Sequence, residues 1–182
     1  MSAEVFTPSG ICREMVETRE EGGMPTKDFQ ASLCLEITCG EAPFIASRYD
    51  METGESIEVK DRFGLLDKKL KPMREEGIAF ETYRDQALKS LKSVYGYELH
   101  GDSLIMARMN VFMDFVERWR ERWKSNPDCK VLKDAAEVVS WNFWQMDGLE
   151  DFLPPLKRIK SQLKLSLGWN LRNIKAVPLL VK

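Results

Sequence analysis

The chain has 182 residues, a formal net charge of −2 and 43% apolar residues. That length suits one domain or a domain with an extension, and the apolar share is enough to bury a core, which excludes a disordered chain. No apolar run reaches membrane-spanning length, the balanced charge leaves no overall nucleic-acid footprint, and one histidine (His100) without opposed cysteine pairs argues against a metal site.

The opening "MSAEVFTP" lacks the basic-then-apolar order of a signal peptide, and Cys12, Cys34, Cys39 and Cys129 are scattered in or beside apolar segments. Together these predict reduced, buried thiols and a cytoplasmic protein. Thr7-Pro8 predicts a helix start, with Ile11, Met15, Cys12 and Val16 repeating at helical spacing until "EEGGMP". A short buried strand is expected over Leu33–Ile37, turning at Gly40. "RYDMETGESIEVKD" alternates around Thr53-Gly54 and reads as a hairpin, within an insertion from about 46 to 78. "RFGLLDKKLKPM" is a short helix stopped by Pro72, and "FETYRDQALKSLKSV" a longer one with Tyr83, Ala87, Leu88 and Leu91 on one face. "SVYGYEL" is the second strand.

The longest helix is "GDSLIMARMNVFMDFVERWRERW", whose Ile105, Met109, Phe112, Val116, Trp119 and Trp123 recur at steps of four and three and predict a stripe facing a core or partner. After "SNPD" a helix from about Val131 leads to a short third strand in "SWNFWQMDGL", ending at Asp147. This alternation predicts an α/β fold with a parallel sheet. From Phe152 onward the chain carries Lys157, Arg158, Lys160, Lys164, Arg172, Lys175 and Lys182 and no side-chain acid. Residues 150–182 thus form a basic extension, either a solvated face or a segment that follows a phosphate backbone.

In open parallel sheets, ligands bind beyond the carboxyl ends of the strands. Those ends hold Glu36 to Phe44, then Glu98-Leu99-His100, then Asp147-Gly148-Leu149. An acid ending the second strand can accept hydrogen bonds from ribose hydroxyls, and a further acid can accept from an exocyclic adenine amine. A lone strand-end acid is usually solvated or caps a helix. One bent loop and two acids on successive strand ends instead describe a site for an adenosine-bearing cofactor.

At these residues the sequence resembles a family. "VFTPSGIC", "LEITCGEAPF", "YGYELHGDSLIMARMN" and "SWNFWQMDGL" look like the first four blocks of adenine-specific (amino-group) DNA methyltransferases of restriction–modification systems, the subunit M type. The likeness covers roughly residues 1–149 and implies part of a Rossmann-like sheet that binds S-adenosylmethionine. It implies that Phe6, Thr7 and Pro8 touch the methionine part, that Glu36 faces the amino group, and that Gly40 lets the backbone approach. Cys39 and Phe44 match the same block, and Glu41 lies within it. Glu98, followed by Ala107 and Asn110 in an "A-x-x-N" pattern, is implied to hold the ribose, with Leu99 beside it; Gln145, Asp147 and Leu149 match the fourth block, and Asp147 points to the adenine.

Two departures stand out. Ala42 replaces a loop glycine and Pro43 follows, so a positive φ at position 42 would cost about 1 kcal/mol. The family's "[DN]PP[YF]" block, whose acid or amide accepts from the target amine while the aromatic stacks on a flipped base, has no counterpart. The nearest stretch, "FLPPL" at 152–156, has Leu153 and Leu156 at the decisive positions and reads as a turn. A target-recognition region is missing too. The expectation is a cofactor-binding portion of the enzyme, with double-stranded DNA as partner of the whole. The alternative is a non-catalytic interaction or DNA-binding protein that kept the scaffold. Either way, an incomplete sheet leaves an uncovered edge strand, which points to self-association.

Overall fold

The computed structural model describes residues 7–21, 29, 32–71 and 77–148. Phe6, Leu149, Pro72, the 154–155 turn and the whole basic extension therefore lie outside the described residues. In chain order the elements are α1 (Ser9–Glu21), β1 (Cys34–Glu36), a 3-10 turn (Val59–Asp61), α2 (Leu65–Leu70), α3 (Phe80–Leu91), β2 (Val94–Glu98), α4 (Gly101–Trp123), α5 (Cys129–Asn142) and β3 (Phe143–Gln145). The strands form one parallel sheet in the order β1-β2-β3. The alternation of strand and helix along the sequence thus yields the expected α/β, parallel architecture.

Local chemistry explains most boundaries. Asp128 caps α5 by accepting the Val131 amide at 2.8 Å. The α4 helix carries Asp102 in its first turn and Arg120 and Arg122 in its last, both favourable to its dipole, and ends where Lys124 turns left-handed. In β2, Val94, Gly96 and Glu98 are buried and Tyr95 and Tyr97 half-buried, the period-two pattern of a strand packed on one face. Gly96 is required by packing. A Cβ there would lie 2.6 Å from the Phe143 ring and 2.9 Å from the Cys39 sulfur. Gly96→Ala is expected to lower stability by about 1–3 kcal/mol, the usual cost of overpacking, as read by chemical denaturation.

Several details differ from the sequence reading. Pro8 is not the first helical residue, because its carbonyl accepts the Cys12 amide and α1 starts at Ser9. Cys12 and Val16 are buried whereas Ile11 is exposed. The hairpin is reduced to one antiparallel bridge, Tyr49 to Ser56, because Asp50 spends its side chain on the Glu52 and Thr53 amides and closes a compact turn. β3 ends at Gln145, two residues before Asp147.

The largest difference lies in α4. Ile105 and Met109 are 59% and 54% exposed, so the expected stripe is broken in its first half. The buried flank is instead Leu104, Ala107, Val111, Phe115 and Trp119, interrupted by buried Asn110, Asp114 and Arg118. Phe112 and Trp123 pack at the margin of the core, and Trp119 meets Phe80 and Tyr83 of α3 edge-on. No helix among the described residues is long and apolar enough to cross a membrane.

Candidate functional site

The parallel register puts all three strand ends on one rim. Glu36 lies level with Gly96, and Glu98 lies level with Gln145. Beyond β1 the chain bends back over β2: the Cys39 amide donates to the Tyr97 carbonyl at 2.8 Å, and the Gly40 amide donates to Glu98 Oε2 at 2.8 Å. Glu98 Oε1 accepts the His100 amide at 2.9 Å, and the Glu98 carbonyl accepts the Met146 amide at 3.0 Å. Gly148 sits against the Ile37 carbonyl, so close that a side chain there would overlap it. The three loops therefore converge around Glu98.

The bend has the geometry its sequence strains against. Gly40 and Ala42 both adopt left-handed conformations, with φ of 53° and 63°. For Gly40 this is free, and open space surrounds the position of a Cβ. For Ala42, fully buried, it is the cost anticipated from the missing glycine. The turn is kept by the Ala42 amide on the Cys39 carbonyl at 2.7 Å and by the Ala46 amide on the Ala42 carbonyl at 2.9 Å.

The electrostatics of the rim are one-sided. Glu36 Oε2 is shut off from solvent and accepts no hydrogen bond from any described residue. Burial first, and then the charge of Glu98, push the Glu36 carboxyl well above the usual range. Burial, Glu36 and Glu98 together push the Cys39 thiol far up as well. Cys12 of α1 is raised to about 11 by burial and then by Glu36. Such thiols stay protonated and are not nucleophiles. What the rim can do is accept: it offers buried carboxylate oxygens and a bent backbone to a cationic, hydrogen-bond-donating ligand.

The expected site residues divide accordingly. Glu36, Cys39, Gly40 and Glu98 come together, and Asp147 follows directly on the Met146 contact to Glu98. Glu41 borders them but is engaged sideways, its carboxylate taken by the Tyr49 hydroxyl. Phe44, partly buried, packs against the core at the end of the same loop. Leu99 is 42% exposed, and its carbonyl accepts the Gln145 side chain at 3.1 Å. Thr7 is exposed and Pro8 half-buried, and the Thr7 carbonyl receives the Cys12 thiol.

Missing from the sequence reading is a polar ladder along α4. Arg48 pairs with Glu117 at 2.7 Å, Arg62 with Asp114 at 2.7 Å and with Glu117 at 2.6 Å, and Arg118 with Asp67 and Asp114. Asn110, Asp114, Glu117 and Arg118 recur at helical spacing, a signal hidden inside an apolar-looking helix. A cleft of about 210 Å³ opens near the lower end of this ladder, lined by Leu70, Tyr83, Arg118, Glu121 and Arg122, and it contains none of the strand-end residues. The cleft and the rim do not coincide; the rim is the candidate site because the strand-end residues and the buried Glu36 oxygen meet there. Comparison with family models, with curated proteins and with solved structures finds no match.

Proposed function

We propose that the chain is the S-adenosylmethionine-binding portion of a DNA adenine N6-methyltransferase of the restriction–modification type, built on part of a Rossmann-like sheet. The observation that carries this reading is the Glu36 Oε2 atom, buried beside Glu98 with no hydrogen-bond partner among the described residues. A buried acceptor without a partner is costly, and an ammonium group is the partner that satisfies both its hydrogen-bonding and its charge. The methionine end of S-adenosylmethionine carries such a group. When bound, the cofactor supplies a methyl group on a sulfonium. The residues of this chain bind and orient it: Glu36 takes the ammonium, the Gly40 turn lets the backbone approach, Glu98 offers its remaining lone pairs to the ribose, and Asp147 faces the adenine. Methyl transfer to DNA would draw on a "[DN]PP[YF]" block, which the 182 residues do not contain.

Titration calorimetry of the whole chain with S-adenosylmethionine tests this. A saturating heat is expected, lost in Glu98→Ala and weakened about tenfold or more in Asp147→Ala, in line with a hydrogen bond to a charged group. No heat at about millimolar cofactor, where binding free energy is only ~4 kcal/mol, overturns it. A second reading, a non-catalytic interaction protein, draws support from the Glu98 oxygens, each of which already accepts a backbone amide, and from the exposed Ile105, Met106 and Met109. Double-stranded DNA and self-association are proposed partners on either reading.

A further inference from the structure

We propose that Tyr49 and Asn110 are positioning residues of the methyl-donor loop: by gripping Glu41 from both ends they hold the left-handed turn at Gly40 to Ala42 against Glu98. This rests on the function proposed above and extends it to residues outside the rim. The argument starts from strain. A non-glycine residue with φ of 63° persists only where its surroundings over-determine it. Between the two left-handed residues stands Glu41. Its carbonyl accepts the Asn110 side-chain amide at 2.9 Å, and its carboxylate accepts the Tyr49 hydroxyl.

The same Asn110 amide donates to the Tyr49 oxygen at 2.8 Å, so the three groups close a triangle on the loop. Asn110 is itself held. It is buried in α4, and its oxygen accepts from Arg48 at 3.2 Å, while Arg48 is fixed by Glu117. Both donor hydrogens and the acceptor of the amide are used, which defines its orientation. The grip also reaches the other wall of the site. Tyr49 begins the compact turn whose Met51 amide donates to Ser9 Oγ at 3.0 Å, at the first residue of α1. One inserted turn thereby ties the start of α1, the bend after β1 and α4 into a single frame around the rim.

Two measurements on the whole chain test this and keep it separable from the cofactor assignment. Tyr49→Phe removes only the hydroxyl and leaves the ring; Asn110→Ala removes the amide. In both, hydrogen exchange at the Ala42, Ile45 and Ala46 amides is expected to accelerate about three- to tenfold, the weight of one net hydrogen bond, while the β2 amides keep their rates. Affinity for S-adenosylmethionine is expected to fall by a similar factor. Unchanged loop exchange in Tyr49→Phe overturns the positioning role. Faster loop exchange with unchanged affinity overturns its link to the ligand. A native chain that does not bind the cofactor overturns the methyl-donor assignment, and the exchange rates then decide the loop grip by themselves.

Discussion

Arg118→Ala is expected to cost about 3–5 kcal/mol of folding stability, the largest loss of any single substitution considered for this chain. Arg118 is 4% exposed and lies between two carboxylates, Asp67 and Asp114, that are themselves 1% and 0% exposed. Its Nε donates to Asp67 Oδ1 at 2.8 Å and stands 3.4 Å from Asp114 Oδ2. Taking the guanidinium away leaves two like charges buried and short of their common cation. Asp67 has further work, because its other oxygen accepts the Gly64 amide at 2.7 Å and the Ser47 hydroxyl at 3.0 Å, and so starts α2. Arg118→Lys is expected to recover only part of the loss, since a point charge cannot fork between two acids.

The deficit should depend on pH in a defined direction. Burial, and then Asp67, push the Asp114 carboxyl up to about 7 against the pull of Arg118 and Arg62. A carboxyl raised in the folded state favours folding most below its unfolded value of about 3.9 and loses that contribution as pH rises through the folded value. Without Arg118 the folded value rises further, so the variant's deficit shrinks on acidification from neutral pH. Urea denaturation of both chains across that interval reads it. Removing the exposed Lys130–Asp134 pair, 84% and 38% exposed, should leave the midpoint where it was. A midpoint for Arg118→Ala equal to that of the native chain would show that the buried ladder is dispensable.

Glu36→Gln is expected to act in the opposite sense, stabilising the chain while weakening its proposed ligand. The Glu36 carboxyl is raised well above its usual range, first by burial and then by Glu98, so the empty folded chain holds this proton more tightly than the unfolded chain does. The stabilising preference is complete below the unfolded value of about 4.3 and is lost as pH climbs through the folded value. Glutamine has no such proton to lose. The two chains should therefore melt together at roughly pH 4 and separate progressively as pH rises toward roughly pH 8, where the variant gains about 1–3 kcal/mol, or ~2–4 °C per kcal/mol for a chain of this size. The same substitution removes the charge offered to an ammonium group, so cofactor heat should fall as thermal stability rises. That opposition is the signature of a binding residue, in which strain in the empty site is relieved by the ligand. Equal melting at both pH values would remove the argument built on the unpartnered oxygen.

What the sequence alone determines here is what short-range periodicity and turn chemistry encode. The second strand, the α3 face of Tyr83, Ala87 and Leu91, and the helix–strand alternation behind a parallel sheet are readable, because each depends on neighbours within a few positions; α5 starts at Cys129, ahead of the expected Val131, because Asp128 caps it. A common rim for Gly40, Glu98 and Asp147 is also expected, since parallel strands deliver their carboxyl ends together; Gly40 and Met146, the residue before Asp147, both donate to Glu98.

Only the tertiary structure decides which flank of α4 is inside. Counting apolar residues favours Ile105 and Met109, yet the chain buries Asn110, Asp114 and Arg118 because Glu41, Tyr49, Arg62 and Asp67 arrive from 50 to 70 positions away to satisfy them. A buried charge is tolerable only when its partner is present, and no local pattern announces a partner that folding brings from elsewhere in the chain. The same holds for Glu36, whose carboxyl is raised first by its burial and then by Glu98 on the neighbouring strand, neither of which a local pattern announces.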